Sequence, residues 1–425
     1  MKERIEMQMN RRFFLHKGSL AVAGTTAIPS FLVRSVMAEA AGKPGQRLVV
    51  VFQRGAADGL NIVVPYREKN YYAMRPSIAI PQEQVLDLDG FFGLHPSLGA
   101  FKPLYEQGQM AIVHAAGSPD ATRSHFDAQD YMESGTPGVK STQDGWLNRA
   151  LQAEDAHRRC AQTCEQQTAF RALALGSEVP LTLSGKIPAI ALSNVNGFTV
   201  AGRGAAPSPA ASAFETMYAD SGDRIFRAAG DETFDAVKML RAANPAQYTP
   251  GAGVNYPASE FGNNMKQIAQ LLKANLGVEA AFTDVSGWDT HQNQGGANGQ
   301  LANRLSDFSA SIAAFWRDMG DEAENVTLVT MSEFGRTARE NGTGGTDHGH
   351  ANAMFVLGGK VKGGKVYGRW PGLDNDQLNE GRDLVLTTDF RQVLGEVVSQ
   401  TLGAQNLETV FPEARLAPNR FLKLI

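Results

Sequence analysis

The 425-residue chain has only eight histidines, and three of them, His291, His348 and His350, follow an aspartate by one to three residues in segments that flank apolar runs. They stand in Gly287-Trp288-Asp289-Thr290-His291 and in Gly345-Thr346-Asp347-His348-Gly349-His350. Imidazole suits zinc and carboxylate suits harder ions, so a mixed set fits zinc or manganese. Asp347, His348 and His350 crowd three donors beside an apolar segment, which a simple turn does not require. Asp58 stands in a comparable segment, Arg54-Gly55-Ala56-Ala57-Asp58-Gly59, although an Asp-Gly pair is also an ordinary turn signal. Asp58, Asp289, His291, Asp347, His348 and His350 are therefore expected to converge on one cleft holding one or two divalent ions. His95, in Leu94-His95-Pro96, and His114 read as structural.

Ions of this kind deprotonate a nearby hydroxyl and clamp the attacking and leaving oxygens of a transferred group. The candidate nucleophile is Ser124, in Thr122-Arg123-Ser124-His125-Phe126-Asp127. A serine there also suits a helix N-cap. Arg123 and Arg336 are the candidate binders of substrate oxygens, because a guanidinium presents a planar fork of donors.

Such residues must be gathered by a scaffold. Leu48-Val49-Val50-Val51-Phe52 reads as a buried strand, as do Met110 to Val113, Ala280 to Phe282, Val326 to Met331 and Ala353 to Leu357. Leu98, Phe101, Leu104 and Tyr105 share a helical face, and so do Leu301, Leu305, Phe308, Ile312 and Phe315. Alternating strands and amphipathic helices predict an α/β fold of three layers, a mainly parallel sheet flanked by helices. The chemistry-bearing segments fall at strand ends, where open α/β sheets place their sites. A stretch around 200–260, rich in Ala, Gly, Pro and Ser, reads as a small helical insertion in a single domain of residues 46–425. The glycine-rich Gly342-Thr343-Gly344-Gly345 has no following helix signal and is not a dinucleotide loop.

The order of these segments resembles the alkaline phosphatase superfamily of phosphatases, sulfatases, phosphodiesterases and phosphoglycerate mutases. Asp58 matches its first ligand, Ser124 its nucleophile, and Asp289 with His291 its third element. One residue separates Asp289 from His291, against three in the superfamily. Two alignments of its Asp-His-Gly element are open. One uses Asp347-His348-Gly349. The other uses Ser332-Glu333-Phe334-Gly335, which makes Glu333 a ligand and puts Phe334 in place of a histidine. More narrowly, the chain resembles the exported proteins grouped as domain of unknown function 1501. The residues that carry this are Gly55 to Leu60, Arg123 to Phe126, Gly287 to His291, Ser332 to Thr337 and Thr346 to Gly349. The resemblance implies an alkaline phosphatase-like fold and a metal-dependent hydrolase of phosphate or sulfate esters, small or polymeric. The alternative is a non-catalytic exported protein that binds or assembles on the same scaffold.

Asn10-Arg11-Arg12-Phe13-Phe14 and the short apolar run that follows read as a twin-arginine signal over residues 1–40. Small residues at Ala38, Ala40 and Ala41 suit cleavage. The expected partner is the twin-arginine export machinery, and the expected location is the periplasm or beyond. The run is too short and polar for stable membrane insertion. Up to Ala38 the signal carries six basic and two acidic residues, so its loss takes the net charge from -4 to -8. An acidic protein of this kind is not expected to bind nucleic acid. In an oxidising compartment Cys160 and Cys164, the two cysteines, either pair or stay as thiols.

Overall fold

A strand whose side chains are all apolar needs protein on both faces. Leu48 to Phe52 form the middle of such a strand, β1 (Arg47–Arg54), and all five are fully buried. The computed structural model describes residues 45–160, 170–195, 240 and 247–425. The signal segment 1–40, Cys164, the Cys160 side chain and most of the 200–260 stretch lie outside the described residues.

Among the described residues, β1 lies inside a nine-stranded sheet. The other strands are β2 (Met110–Gly117), β3 (Ala172–Leu175), β4 (Ala189–Leu192), β5 (Ala280–Ser286), β6 (Val326–Met331), β7 (Asn352–Gly358), β8 (Lys365–Tyr367) and β9 (Thr388–Asp389). Their order is β8-β2-β7-β6-β1-β5-β3-β4, with β9 also on β2. Every pairing is parallel except those of β7, which runs against both β2 and β6. The sheet is thus mixed but mainly parallel, as expected. β1, β2 and β5 run past the apolar runs that announce them, because ladder hydrogen bonds continue where the side chains turn polar, as at His114 and Asp284.

Five helices matter for the site and its support: α1 (His125–Ser134), α2 (Trp146–Cys160), α3 (Glu260–Lys273), α4 (Gln300–Met319) and α5 (Phe390–Thr401). Leu48, Val50 and Phe52 share one core with Trp146 and Leu147 of α2 and Val393 and Val397 of α5. The opposite face carries aromatic rings: Phe101 packs on Phe355 of β7 and Phe308 of α4, and Phe308 also meets Phe261 of α3. Helices on both faces make the three layers. Each buried Leu, Val or Phe contributes about 1.5–3 kcal/mol. The segment with Leu98 and Leu104 is a 3-10 turn (Pro96–Phe101) leading into a short helix (Lys102–Glu106), and its four apolar residues are buried. Among the described residues, no helix is long and apolar enough to cross a membrane.

His114 sits on β2 within this frame. Its Nε2 donates to Val63 O (2.9 Å), and its Nδ1 accepts from Ala115 N (2.8 Å). Burial against Phe92 and Trp370 pushes its pKa down to about 4. The unfolded chain titrates near 6.5. Between these values the unfolded state binds a proton that the folded state refuses, so stability is lost as pH falls through the window. The loss from this group is about 3 kcal/mol. Urea unfolding at pH 7 and pH 4 should show that difference shrinking in His114→Gln, which keeps a donor and an acceptor without titrating. An unchanged pH slope would remove His114 as the cause.

Candidate metal centre

The carboxyl ends of parallel strands lie at one edge of a sheet. Segments following β1, β2, β5 and β6 therefore emerge together. β7 runs the other way, so the segment preceding it, Gly345 to His350, reaches the same edge. The loops then pack closely. Gly55 has φ +115, and a Cβ there would come within 2.8 Å of Asp289 N. Arg336 ties the loops to one another. It donates to Gly55 O (2.6 Å), Ala56 O (2.7 Å), Trp288 O (3.1 Å) and Thr346 O (3.1 Å), and it also bonds the Asp289 carboxylate.

At the centre of this edge His125, Asp289 and His348 each offer one donor atom to a common point. His348 Nε2 lies 3.0 Å from His125 Nε2 and 2.9 Å from His291 Nε2. Asp289 Oδ1 lies 3.6, 3.4 and 3.0 Å from the Nε2 atoms of His125, His348 and His291. Ligands about 2.0–2.1 Å from a tetrahedral zinc ion are separated by about 3.3–3.4 Å. The spacings among His125, Asp289 and His348, 3.0–3.6 Å, bracket that value.

The far side of each ring explains which atom faces inward. His125 Nδ1 donates to Glu333 Oε1 (2.8 Å), His348 Nδ1 to Arg123 O (2.8 Å) and His291 Nδ1 to Asp347 Oδ1 (3.1 Å). Burial alone would raise Glu333, but His125, Gln129 and the Gly55 N–H hold it below the usual carboxylate range. Asp347 is held low chiefly by Asn341, with His291 adding. Both therefore accept, and a carbonyl can only accept, so Nδ1 carries the proton in all three rings. A neutral ring then presents a bare lone pair at Nε2. Burial, with His125 and Arg336 adding, holds His348 below its usual value against the pull of the Arg123 carbonyl. The hydrogen bond to Glu333 raises His125, which makes its Nε2 a stronger base and a better ligand. Burial would raise Asp289 too, but Arg336 holds it low and ionised. Three lone pairs and a carboxylate this close repel one another unless a cation lies among them. One proton bridges one pair, whereas one metal ion serves His125, Asp289 and His348 together; His291 borders His348 and Asp289 but stands outside that group. Phe334 packs 4.9 Å from the His125 ring and 5.1 Å from that of His348, so it is a wall of the centre.

The other residues singled out from the sequence are placed differently. Asp58 is fully buried and does not join the cluster. Arg75 holds both its oxygens (2.7 and 2.9 Å), and Gln294 Nε2 bonds Oδ2 (2.7 Å). Arg75 spends its remaining donors on Asn61, Thr337 O and Ala338 O. Glu333 and Asp347 orient histidines where ligands were expected. His350 turns its Nε2 to Ser118 O (2.9 Å). Arg336, at 1% exposure, is committed to loop carbonyls and Asp289, so it has no face for substrate. Arg123 pairs with Glu380 (2.8 Å) and Asp383 (2.7 Å). Ser124 is the N-cap residue of α1 but makes no side-chain capping bond. His125 is the functional residue that the Asp-to-His spacing rule passes over, because no aspartate precedes it closely. Its signal was its place beside Ser124.

The profile of a family described as protein of unknown function (DUF1501) matches residues 91–408, three quarters of the chain. The chain belongs to this family. The matched span holds every residue of the cluster and leaves Asp58 outside it. No curated protein matches the chain in sequence. Among solved structures it is similar to the C-terminal periplasmic domain of EcEptC from Escherichia coli in complex with zinc. The identity is 10%, the TM-score 0.34, and the match covers 75% of this chain and 73% of that one. It is also similar to the PsFucS1 sulfatase from Pseudoalteromonas sp. (14% identity, TM-score 0.33, 80% and 68% covered). A mutant of the alkaline phosphatase PafA is similar at 10% identity and TM-score 0.33, with 69% and 64% covered. Each is a distant likeness, and the centre stands on its own geometry.

Proposed function

We propose that this family member is a metal-dependent hydrolase of phosphate or sulfate esters that works outside the cytoplasm. The observation that carries the reading is the convergence of the His125 and His348 Nε2 lone pairs and one Asp289 carboxylate oxygen, each ring fixed from behind. A nitrogen-rich set of this kind favours zinc over manganese. The side chains are partly open, from 23% exposed at His125 to 45% at Asp289, which suits a catalytic site better than a sealed structural one. A bound divalent ion supplies Lewis-acid polarisation of an ester oxygen and lowers the pKa of a nearby hydroxyl.

His125, His348 and Asp289 would hold the ion, with His291 beside His348 and Asp289; Glu333, the Arg123 carbonyl and Asp347 aim the three rings. Ser124 is the nucleophile in this reading. It neighbours His125 in the chain and stands at the start of the ten-residue helix α1, where free N–H groups favour an anion. Its hydroxyl would lose its proton to solvent and attack phosphorus or sulfur in line with the ester oxygen, which departs and is protonated to the alcohol; water would then cleave the serine ester and release phosphate or sulfate. Because that hydroxyl caps nothing, Ser124→Ala should leave stability within about 0.5 kcal/mol of wild type. The same change should keep the metal content and abolish hydrolysis across a panel of phosphate and sulfate esters. Full activity in the variant would remove Ser124 from the mechanism. An inactive, zinc-loaded wild type would favour the non-catalytic alternative.

Export by the twin-arginine machinery belongs to the same proposal and rests on Arg11-Arg12. Changing both to lysine should leave the precursor in the cytoplasm, as read by cell fractionation. Undiminished export of that variant by the same route would refute it.

A further inference from the structure

A cavity of about 230 Å³ opens beside the metal centre, with Arg339, Arg382, Asn341 and Asp347 on its walls and Met74 and Leu378 among its apolar lining. It shares two walls with the centre. Asp347 bonds His291, and Arg382 Nη2 donates to His348 O (2.8 Å). The volume is below the 300–1,000 Å³ or so of drug-sized sites, so it suits one small group.

The polar balance of the lining decides which group. Glu340, also in the lining, has both oxygens taken: Oε1 by the Ser77 hydroxyl, Oε2 by Ser77 N and Ile78 N. Asp347 Oδ1 already accepts from His291 and Asn341, which leaves its Oδ2 as an acceptor facing solvent. The Arg339 guanidinium, in contrast, makes no hydrogen bond or ion pair among the described residues. Arg382 spends one donor on His348 O and otherwise has only Asp383, 3.8 Å from its Nε. The uncommitted groups of the cavity are thus mostly donors, two of them guanidinium forks matched to an oxyanion. We propose that this cavity is a subsite for a second anionic group of the substrate, a carboxylate or a further sulfate or phosphate. The inference rests on the hydrolase reading for the identity of the ligand as substrate, but the binding itself does not.

The test titrates zinc-loaded mature protein with glucose 6-sulfate, glucose 3,6-disulfate and glucuronate 3-sulfate by calorimetry. Any ester that is turned over is read by kcat/KM instead. One of the doubly charged probes should bind at least about tenfold better than the single sulfate, from one charge-assisted contact. The better of the two identifies a sulfate or a carboxylate as the natural group. Arg339→Gln, an exposed change outside the centre, should erase that gain and leave glucose 6-sulfate unaffected. An equal gain in the variant, or none in wild type, overturns the subsite. An Arg339-dependent preference without hydrolysis of any ester keeps the subsite and removes the hydrolase reading. Hydrolysis with no such preference does the reverse.

Discussion

His348→Ala should strip the protein of its metal. His348 Nε2 lies 3.0 Å from His125 and 3.4 Å from Asp289, its partners in the donor group, and 2.9 Å from the neighbouring His291. Four-ligand zinc sites bind with about 10–16 kcal/mol, so one ligand is worth about 3 kcal/mol, or roughly a hundredfold in affinity. Metal analysis of wild type purified without added metal should give one zinc per chain, and His348→Ala less than a tenth of that. Glu333→Gln should fall between the two, because losing the partner of a ligating ring costs about 10–100-fold. Zinc present at a thousand times its Kd stabilises the fold by about 4 kcal/mol. Chelation should therefore lower the thermal midpoint of wild type and leave that of His348→Ala nearly unmoved. Equal zinc in both proteins would end the assignment of this centre.

Asp58→Asn should cost stability and not metal. Asp58 and Arg75 form a bidentate pair from which water is fully excluded, with every Arg75 donor engaged. Breaking such a pair from one side costs about 3–5 kcal/mol, because the other charge stays buried without its partner. Arg75→Met should cost a similar amount. The double variant should recover part of it, since neither charge then remains. Urea unfolding measures these values, and zinc analysis of the same samples separates the two roles of Asp58. A ligand would take the zinc with it, as His348 does, whereas a structural carboxylate would leave it bound. Loss of zinc from a folded Asp58→Asn would restore Asp58 to the centre.

The two variants mark the boundary between what patterns in the chain reveal and what they do not. Asp289, His291 and His348 were legible as donors, because imidazole and carboxylate recurring at strand ends is unusual for structural reasons alone. Asp58 looked the same by type and position. Its assignment changes because Arg75, 17 residues away, reaches the carboxylate first. No local pattern encodes that contact. His125 shows the converse: a strong ligand position with no aspartate nearby, recognisable once Glu333 stands behind its ring.

The sequence by itself determined the layers. Apolar strands such as Leu48 to Phe52 and amphipathic helices such as α4 can bury their surfaces only as a helix-covered sheet, and that follows from periodicity. The tertiary structure decided the site. β7 runs antiparallel between β2 and β6, so Asp347 and His348, which precede their strand, arrive at the edge where Asp289 and Glu333 follow theirs. Strand direction is set by how the whole sheet packs, and the apolar run of β7 reads alike in either direction. The same packing sends Arg336 into the loop carbonyls and leaves the His125 and His348 lone pairs and the Asp289 carboxylate facing one point.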